Sequence, residues 1–223
     1  ELLSARDFIY SFTQNFENQS VEIFIDEFRK TYLKRTDYLR GNNNKIVDKL
    51  PDNFLYIGFL TKILPKSKII RTFRNPWDVA ISLFKQRYVT NIPYSASFFN
   101  IGVFMANFEA INIYWNKVIK IKSNILDIKY EELVDDPGYY QKKIYDFLEI
   151  ESEFDEEKRK AFFSHTASMR QIGTGVHKKS VGKEEFVTHK KEFYESLSMQ
   201  RKYWQKIGLY SNNGDFFGYK ISE

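Results

Sequence analysis

The chain has 223 residues, 43% of them hydrophobic and 28% charged, which is enough to bury a sizeable core as one globular domain and too apolar for a disordered chain. A formal charge of +5 and a pI near 9.1 tilt it towards anionic partners such as phosphorylated small molecules, acidic surfaces or nucleic acid. With no cysteine and three widely spaced histidines, His165, His177 and His189, disulfides, thiolate catalysis, cysteine-ligated zinc and a two-histidine helical metal motif are excluded.

Val21, Phe24, Ile25, Phe28 and Tyr32 recur at helical spacing and predict amphipathic helix to about Lys34. Thr36 to Asn44 is polar and reads as a loop. Ile46 to Lys49 reads as a brief strand stopped by Pro51, whose end delivers Asp48 and Lys49 to a site. Leu55, Phe59 and Ile63 predict a helix ending near Pro65. Ser67 to Phe73 is short and β-favouring, and Arg74-Asn-Pro-Trp-Asp78 turns at once into a helix through Tyr88. Phe104, Phe108, Ile111, Trp115 and Val118 mark a long helix, and Asn124 to Tyr130 reads as a strand. Asp136 and Pro137 make an N-cap and N1 pair for the next helix. His165 to Lys183 holds Gly173, Gly175 and Gly182 among basic and hydroxyl residues, the composition of a functional loop. A helix from Lys190 to about Ile207 follows, and Ser211 to Glu223 reads as irregular.

Strands alternating with helices imply an α/β fold with a parallel sheet covered on both faces. Ligands of such sheets bind beyond the carboxyl ends of the strands. Three places qualify: Asp48-Lys49, Arg74 with its helix, and Tyr130-Glu131-Glu132. At the second, Asn75 as N-cap, Pro76 at N1 and Asp78 in the first turn describe a well-made helix start. Arg74 adds a planar fork and Ser82 a hydroxyl two turns in, a pair suited to a phosphate lying along the helix.

Lys68-Ile-Ile-Arg-Thr-Phe-Arg-Asn-Pro-Trp-Asp-Val-Ala-Ile-Ser82 resembles the sulfotransferase signature in which a strand leads into Arg-Asx-Pro/Ala-x-Asp-Val-Ala-x-Ser. Asp48 to Gly58 before it, Lys129 to Pro137 after it, and Thr166-Ala-Ser-Met-Arg-Gln171 with Lys178-Lys-Ser-Val-Gly182 resemble further family segments in the same order. The pattern is closest to bacterial sulfotransferases associated with tetratricopeptide repeats and to tyrosylprotein sulfotransferases. The resemblance implies a three-layer α/β/α, P-loop nucleoside-triphosphate-hydrolase-like fold. It implies 3'-phosphoadenosine 5'-phosphosulfate (PAPS) as donor, 3'-phosphoadenosine 5'-phosphate (PAP) as product, and no metal. By the same resemblance Arg74 and Ser82 bind the 3'-phosphate, Tyr130 lies near the adenine, and Lys178, Lys179 and Gly182 belong to a late nucleotide-binding loop. Lys49 stabilises the leaving phosphate, Ser168 assists it, and Glu1 stands near the position of the general base. Strand-end packing explains Tyr130 equally well, and solvated charges explain the lysines.

The acceptor stays open between a protein tyrosine, a carbohydrate, a lipid headgroup and a small molecule, with Thr36 to Asn44 and Val89 to Phe104 as the segments expected to shape it. Tyr88, Tyr94, Phe98 and Phe99 are either cleft-lining or core residues. Nucleic acid is not an expected partner, because the basic residues form no stacking motif with the aromatics. No apolar run approaches the ~20 residues that span a bilayer. The localisation favoured for a bacterial protein is the cytoplasm, and upstream tetratricopeptide repeats are a further expectation. The family's 5'-phosphosulfate loop, a Pro-Arg/Lys-Ser-Gly-Thr-Thr-like turn, does not occur in the sequence. The expectation drawn from this is a single domain truncated before Glu1, holding half the donor site and inactive alone. The alternative is a catalytically inactive nucleotide-binding module in a sulfotransferase fold.

Overall fold

Two short segments rich in β-branched residues, β1 (Ile69–Phe73) and β2 (Ile125–Lys129), pair in parallel with Ile69 opposite Ile125 and Phe73 opposite Lys129. The computed structural model describes residues 21–39, 45–86, 92–119, 122–151, 186–210 and 214–221. Around the strands come α1 (Val21–Thr36), α2 (Ile57–Ile63), α3 (Pro76–Gln86), α4 (Phe98–Val118), α5 (Tyr130–Asp135), α6 (Pro137–Leu148) and α7 (Val187–Lys206). The order β1–α3–α4–β2 is a right-sized crossover for parallel strands, which need a dozen or more residues between them.

Register is fixed by a side-chain pair. Arg71 and Asp127 are direct partners across the ladder. Arg71 Nε and Nη2 donate to the two Asp127 carboxylate oxygens at 2.7 Å each, the two-pronged geometry that a guanidinium and a carboxylate favour. A shift of one residue would separate the pair and turn buried Phe73 and Ile128 to the wrong face.

The chain divides into two compact units, one made of the residues up to Ser67 with Ile111–Lys122, the other of Lys68–Ala110 with Ser123 onward. In the first, α1 lays Phe24, Ile25, Phe28 and Tyr32 against Phe59, Ile63 and Leu64, with Phe28 and Ile63 fully buried. Arg29 donates to the Ile63 and Lys62 carbonyls at 2.5 and 3.3 Å, satisfying the last carbonyls of α2 that have no helical partner. Gly58 is required by Trp115: a Cβ there would stand 2.2 Å from the indole ring. The indole Nε1 donates to the Phe54 carbonyl at 2.7 Å.

In the second unit Trp77, Ala80 and Ile81 of α3, Phe98, Ile101, Met105 and Ala106 of α4, and Phe193, Tyr194 and Leu197 of α7 form one buried cluster with Phe216. Gly102 lets α4 and α7 approach: its Cβ would meet Ser196 Oγ at 2.0 Å and the Phe193 carbonyl at 2.5 Å. Beside this apolar contact lies a buried polar one. Arg201 Nε and Nη2 donate to Glu109 at 2.7 and 2.6 Å, and Tyr210 donates to the same carboxylate at 3.0 Å. Arg201 Nη1 also reaches the Gly214 carbonyl at 3.1 Å. Glu109 has no exposed surface, and a charge so placed is tolerable only when its oxygens are engaged in this way.

The sequence expectations hold for β1, the long helix α4, β2 and the capped helix α6. Asp136 Oδ1 accepts from the Tyr139 backbone N–H at 3.0 Å with Pro137 at N1. The strand expected at Ile46 to Lys49 does not form; Lys45–Leu50 has no regular secondary structure. A strand needs a ladder to satisfy its backbone, and the described sheet is made of β1 and β2. Val47, within that run, is 88% exposed.

Candidate functional site

Because Phe73 and Lys129 are register partners, Arg74 and Tyr130 are the first residues past the carboxyl ends of two adjacent parallel strands. The structure brings them into contact: the Arg74 guanidinium lies over the Tyr130 ring, Cζ 4.5 Å from its centroid. The separation is within the range of a cation–π contact. Asp78, in the first turn of α3, places Oδ2 3.9 Å from Arg74 Nη2, with the two side chains 4% and 20% exposed respectively. Arg74 is therefore oriented by a ring on its face and a carboxylate at its edge.

The backbone beneath it is also fixed. Asn75 Oδ1 accepts from the backbone N–H groups of Trp77 at 3.0 Å and Asp78 at 3.3 Å, so Asn75 is the N-cap its sequence position predicts. The Asn75 N–H in turn donates to Glu131 Oε1 at 3.0 Å. Glu131 accepts a second bond from the Tyr219 hydroxyl. Burial and the Glu131 carboxylate push the Tyr219 phenol above its ordinary range, which keeps it a donor. Burial, followed by the Asp78 charge, raises Tyr194 as well.

Ser82 follows Asp78 by four residues on α3 and so shares its helix face; it is partly buried. Lys49 belongs to the other compact unit and is exposed. Its neighbour Asp48 accepts from the Tyr32 hydroxyl at 2.9 Å and from Asn53 Nδ2 at 3.3 Å. Glu1, Ser168, Lys178, Lys179 and Gly182 lie outside the described residues. So do His165, His177 and Tyr88. Of the aromatic residues held between cleft and core, Phe98 is buried in the apolar cluster, Tyr94 is stacked on Phe104 with centroids 3.9 Å apart, and Phe99 is exposed. Among the described residues no group of histidine, aspartate and glutamate side chains could hold a metal ion, and no helix is long and apolar enough to cross a membrane.

One participant, Tyr219, escaped the sequence reading, and the bond made by another, Glu131, did so too. Glu131 was visible as a strand-end carboxylate, but its bond to the Asn75 amide depends on the ladder register. Tyr219 lies 88 residues from its partner and carries no local signal at all.

Residues 4–156 match the family described as the sulfotransferase family. The chain belongs to the sulfotransferase family. It is also 30% identical over 160 residues to an uncharacterized protein of Aquifex aeolicus (strain VF5), an alignment covering 68% of this chain and 20% of that protein. The chain thus spans about a fifth of the length of the curated relative it matches. No solved structure matches it. The Arg74 junction and the Tyr130 helix both fall inside the matched region.

Proposed function

We propose that this sulfotransferase-family chain takes part in transfer of a sulfuryl group from PAPS to an acceptor hydroxyl or amine, releasing PAP. The observation that carries the reading is the Arg74 guanidinium lying over the Tyr130 ring at the aligned ends of β1 and β2. Arg74 and Ser82 take the 3'-phosphate, the arginine through its in-plane donors and the serine through its hydroxyl. Tyr130 lies beside the adenine with its ring face already committed to the arginine. Asp78 offsets part of the Arg74 charge, which favours a dianionic phosphate over weaker anions as the group able to compete for the fork. Lys178, Lys179 and Gly182 complete the nucleotide loop. The two-stranded parallel sheet is read as part of one three-layer α/β/α, P-loop-like domain.

In the reaction the acceptor oxygen or nitrogen forms a bond to sulfur as the bond from sulfur to the 5'-phosphate oxygen breaks. The leaving oxygen keeps the electron pair, and the acceptor proton passes to a base, for which Glu1 is the candidate. In-line positioning and neutralisation of the leaving charge supply most of such a rate enhancement. Lys49 is assigned that neutralisation, assisted by Ser168.

Release of PAP from PAPS by the full-length protein, with and without Lys49→Ala, tests the assignment. Loss of one electrophilic contact lowers the rate by about 10²–10³-fold. An unchanged rate removes Lys49 from the mechanism. No PAP release by either protein, with PAP still bound, favours the binding-module alternative.

A further inference from the structure

The residues after α7 contain a tight turn whose location bears on Arg74. Phe216 and Tyr219 exchange backbone hydrogen bonds of 2.9 Å in both directions. Between them Phe217 (φ 49°) and Gly218 (φ 82°) both adopt left-handed backbone, as the turn joining two antiparallel residues by a two-residue loop requires. Glycine accepts this conformation freely; a phenylalanine does so only where its surroundings hold it there.

What holds Phe217 is the end of β1. Its ring centroid lies 4.2 Å from that of Phe73 and 6.0 Å from that of Phe108, while Phe216 is buried in the apolar cluster. The turn thereby delivers Tyr219 to the gap between the two strand ends. There its hydroxyl donates to Glu131, with the Phe73 carbonyl 3.4 Å away, and Lys129 Nζ lies 5.2 Å from its ring centroid. The turn also crowds that lysine, since a Cβ on Gly218 would meet Lys129 Nζ at 2.9 Å.

The residue before Arg74 and the residue after it are consequently both tied to this turn. Phe73 is tied by ring packing. Asn75 is tied through its N–H bond to Glu131, the acceptor of Tyr219. We infer that the Phe216–Tyr219 turn is a positioning element for the anion site, in which Tyr219 acts through Glu131 to fix the backbone that presents Arg74. The inference rests on the reading of Arg74 as a 3'-phosphate ligand. A carboxylate one residue from an anion site opposes phosphate binding unless donors engage it. The Tyr219 hydroxyl and the Asn75 amide are two such donors, so the hydroxyl both aligns the turn and offsets the repulsion.

The experiment compares affinities for PAP and AMP in the full-length protein, Tyr219→Phe, Glu131→Ala and Glu131→Gln, with unfolding midpoints for each. Tyr219→Phe keeps the ring and removes one hydrogen bond to a charged group, and is expected to reduce the preference for PAP over AMP about tenfold with little change in AMP affinity. Glu131→Ala reduces it at least as much, and Glu131→Gln, which retains an oxygen for the Asn75 amide, recovers most of it. An unchanged preference in Tyr219→Phe, or an equal fall in both affinities, overturns the inference. Should Tyr219→Phe fail to fold, the contrast between the two Glu131 variants decides by the same ratio. A parent protein that binds PAP and AMP equally overturns the Arg74 reading itself, a result distinct from loss of preference in the variants alone.

Discussion

The Arg74 guanidinium lies over the Tyr130 ring, 4.5 Å from guanidinium carbon to ring centroid, although 56 positions separate them in the sequence. The contact follows from the pairing of Phe73 with Lys129, so β-sheet register sets the geometry of the site.

Replacement of Tyr130 separates stacking from hydrogen bonding. Tyr130→Phe keeps the ring over Arg74 and is expected to bind PAP within about twofold of the parent. Tyr130→Ala removes a contact of about 0.5–2 kcal/mol, a loss of roughly 2- to 30-fold in affinity. Calorimetric titration with PAP checks both. Equal losses in the two variants would show that the hydroxyl, not the ring, supports the site.

The Glu109–Arg201 pair should dominate the polar contribution to stability. Glu109→Ala leaves Arg201, whose side chain is 10% exposed, beside an apolar void, and is expected to cost about 3–5 kcal/mol in urea unfolding. Asp127→Ala, whose carboxylate is half exposed, should cost clearly less. The reverse order would contradict the burial on which the argument rests.

Much of the fold was legible in the sequence because its signals are local. The apolar spacing of α1 and α4, the Asn75 and Asp136 caps and the short β-branched runs each declare themselves within a dozen residues. The strand expected at Ile46 to Lys49 does not form because a short run ending at a proline does not by itself supply a ladder partner. The strand-to-helix junctions that carry Arg74 and Tyr130 were legible, since each is a local change of pattern. Glu131 and Tyr219 depend on sheet register and on a turn stabilised by ring packing, and Glu109 reads as an ordinary charge in an apolar helix until Arg201 is beside it.

Alkaline pH offers an independent check. The Glu132 carboxylate, accepting from the Tyr140 hydroxyl, is the main cause that pushes that phenol up to about 12. Burial followed by Asp48 raises Tyr32, and burial followed by Glu131 raises Tyr219. A phenol raised in the folded state stabilises it fully below the ordinary value of about 10 and loses that contribution as pH climbs past it, since the unfolded chain ionises first. Stability should therefore fall as pH rises from about 10 towards 12, and ultraviolet titration should show a late-ionising class that Tyr140→Phe reduces. A single transition near 10 for all tyrosines would be inconsistent with these hydrogen bonds.

Gly58→Ala tests the packing of the first unit. With the Cβ position 2.2 Å from the Trp115 ring, the substitution should cost about 1–3 kcal/mol, and much of the loss should be relieved in the double variant with Trp115→Leu. Additive effects in the double-mutant cycle would place the strain elsewhere.

The most direct test of the central claim is the affinity of the full-length protein for PAP against AMP, measured with and without Arg74→Ala. If Arg74 holds a 3'-phosphate, the parent binds PAP more tightly and Arg74→Ala abolishes the difference, a loss of about 10-fold or more. Equal affinities for the two nucleotides in the parent, or a preference for PAP that survives Arg74→Ala, would contradict it.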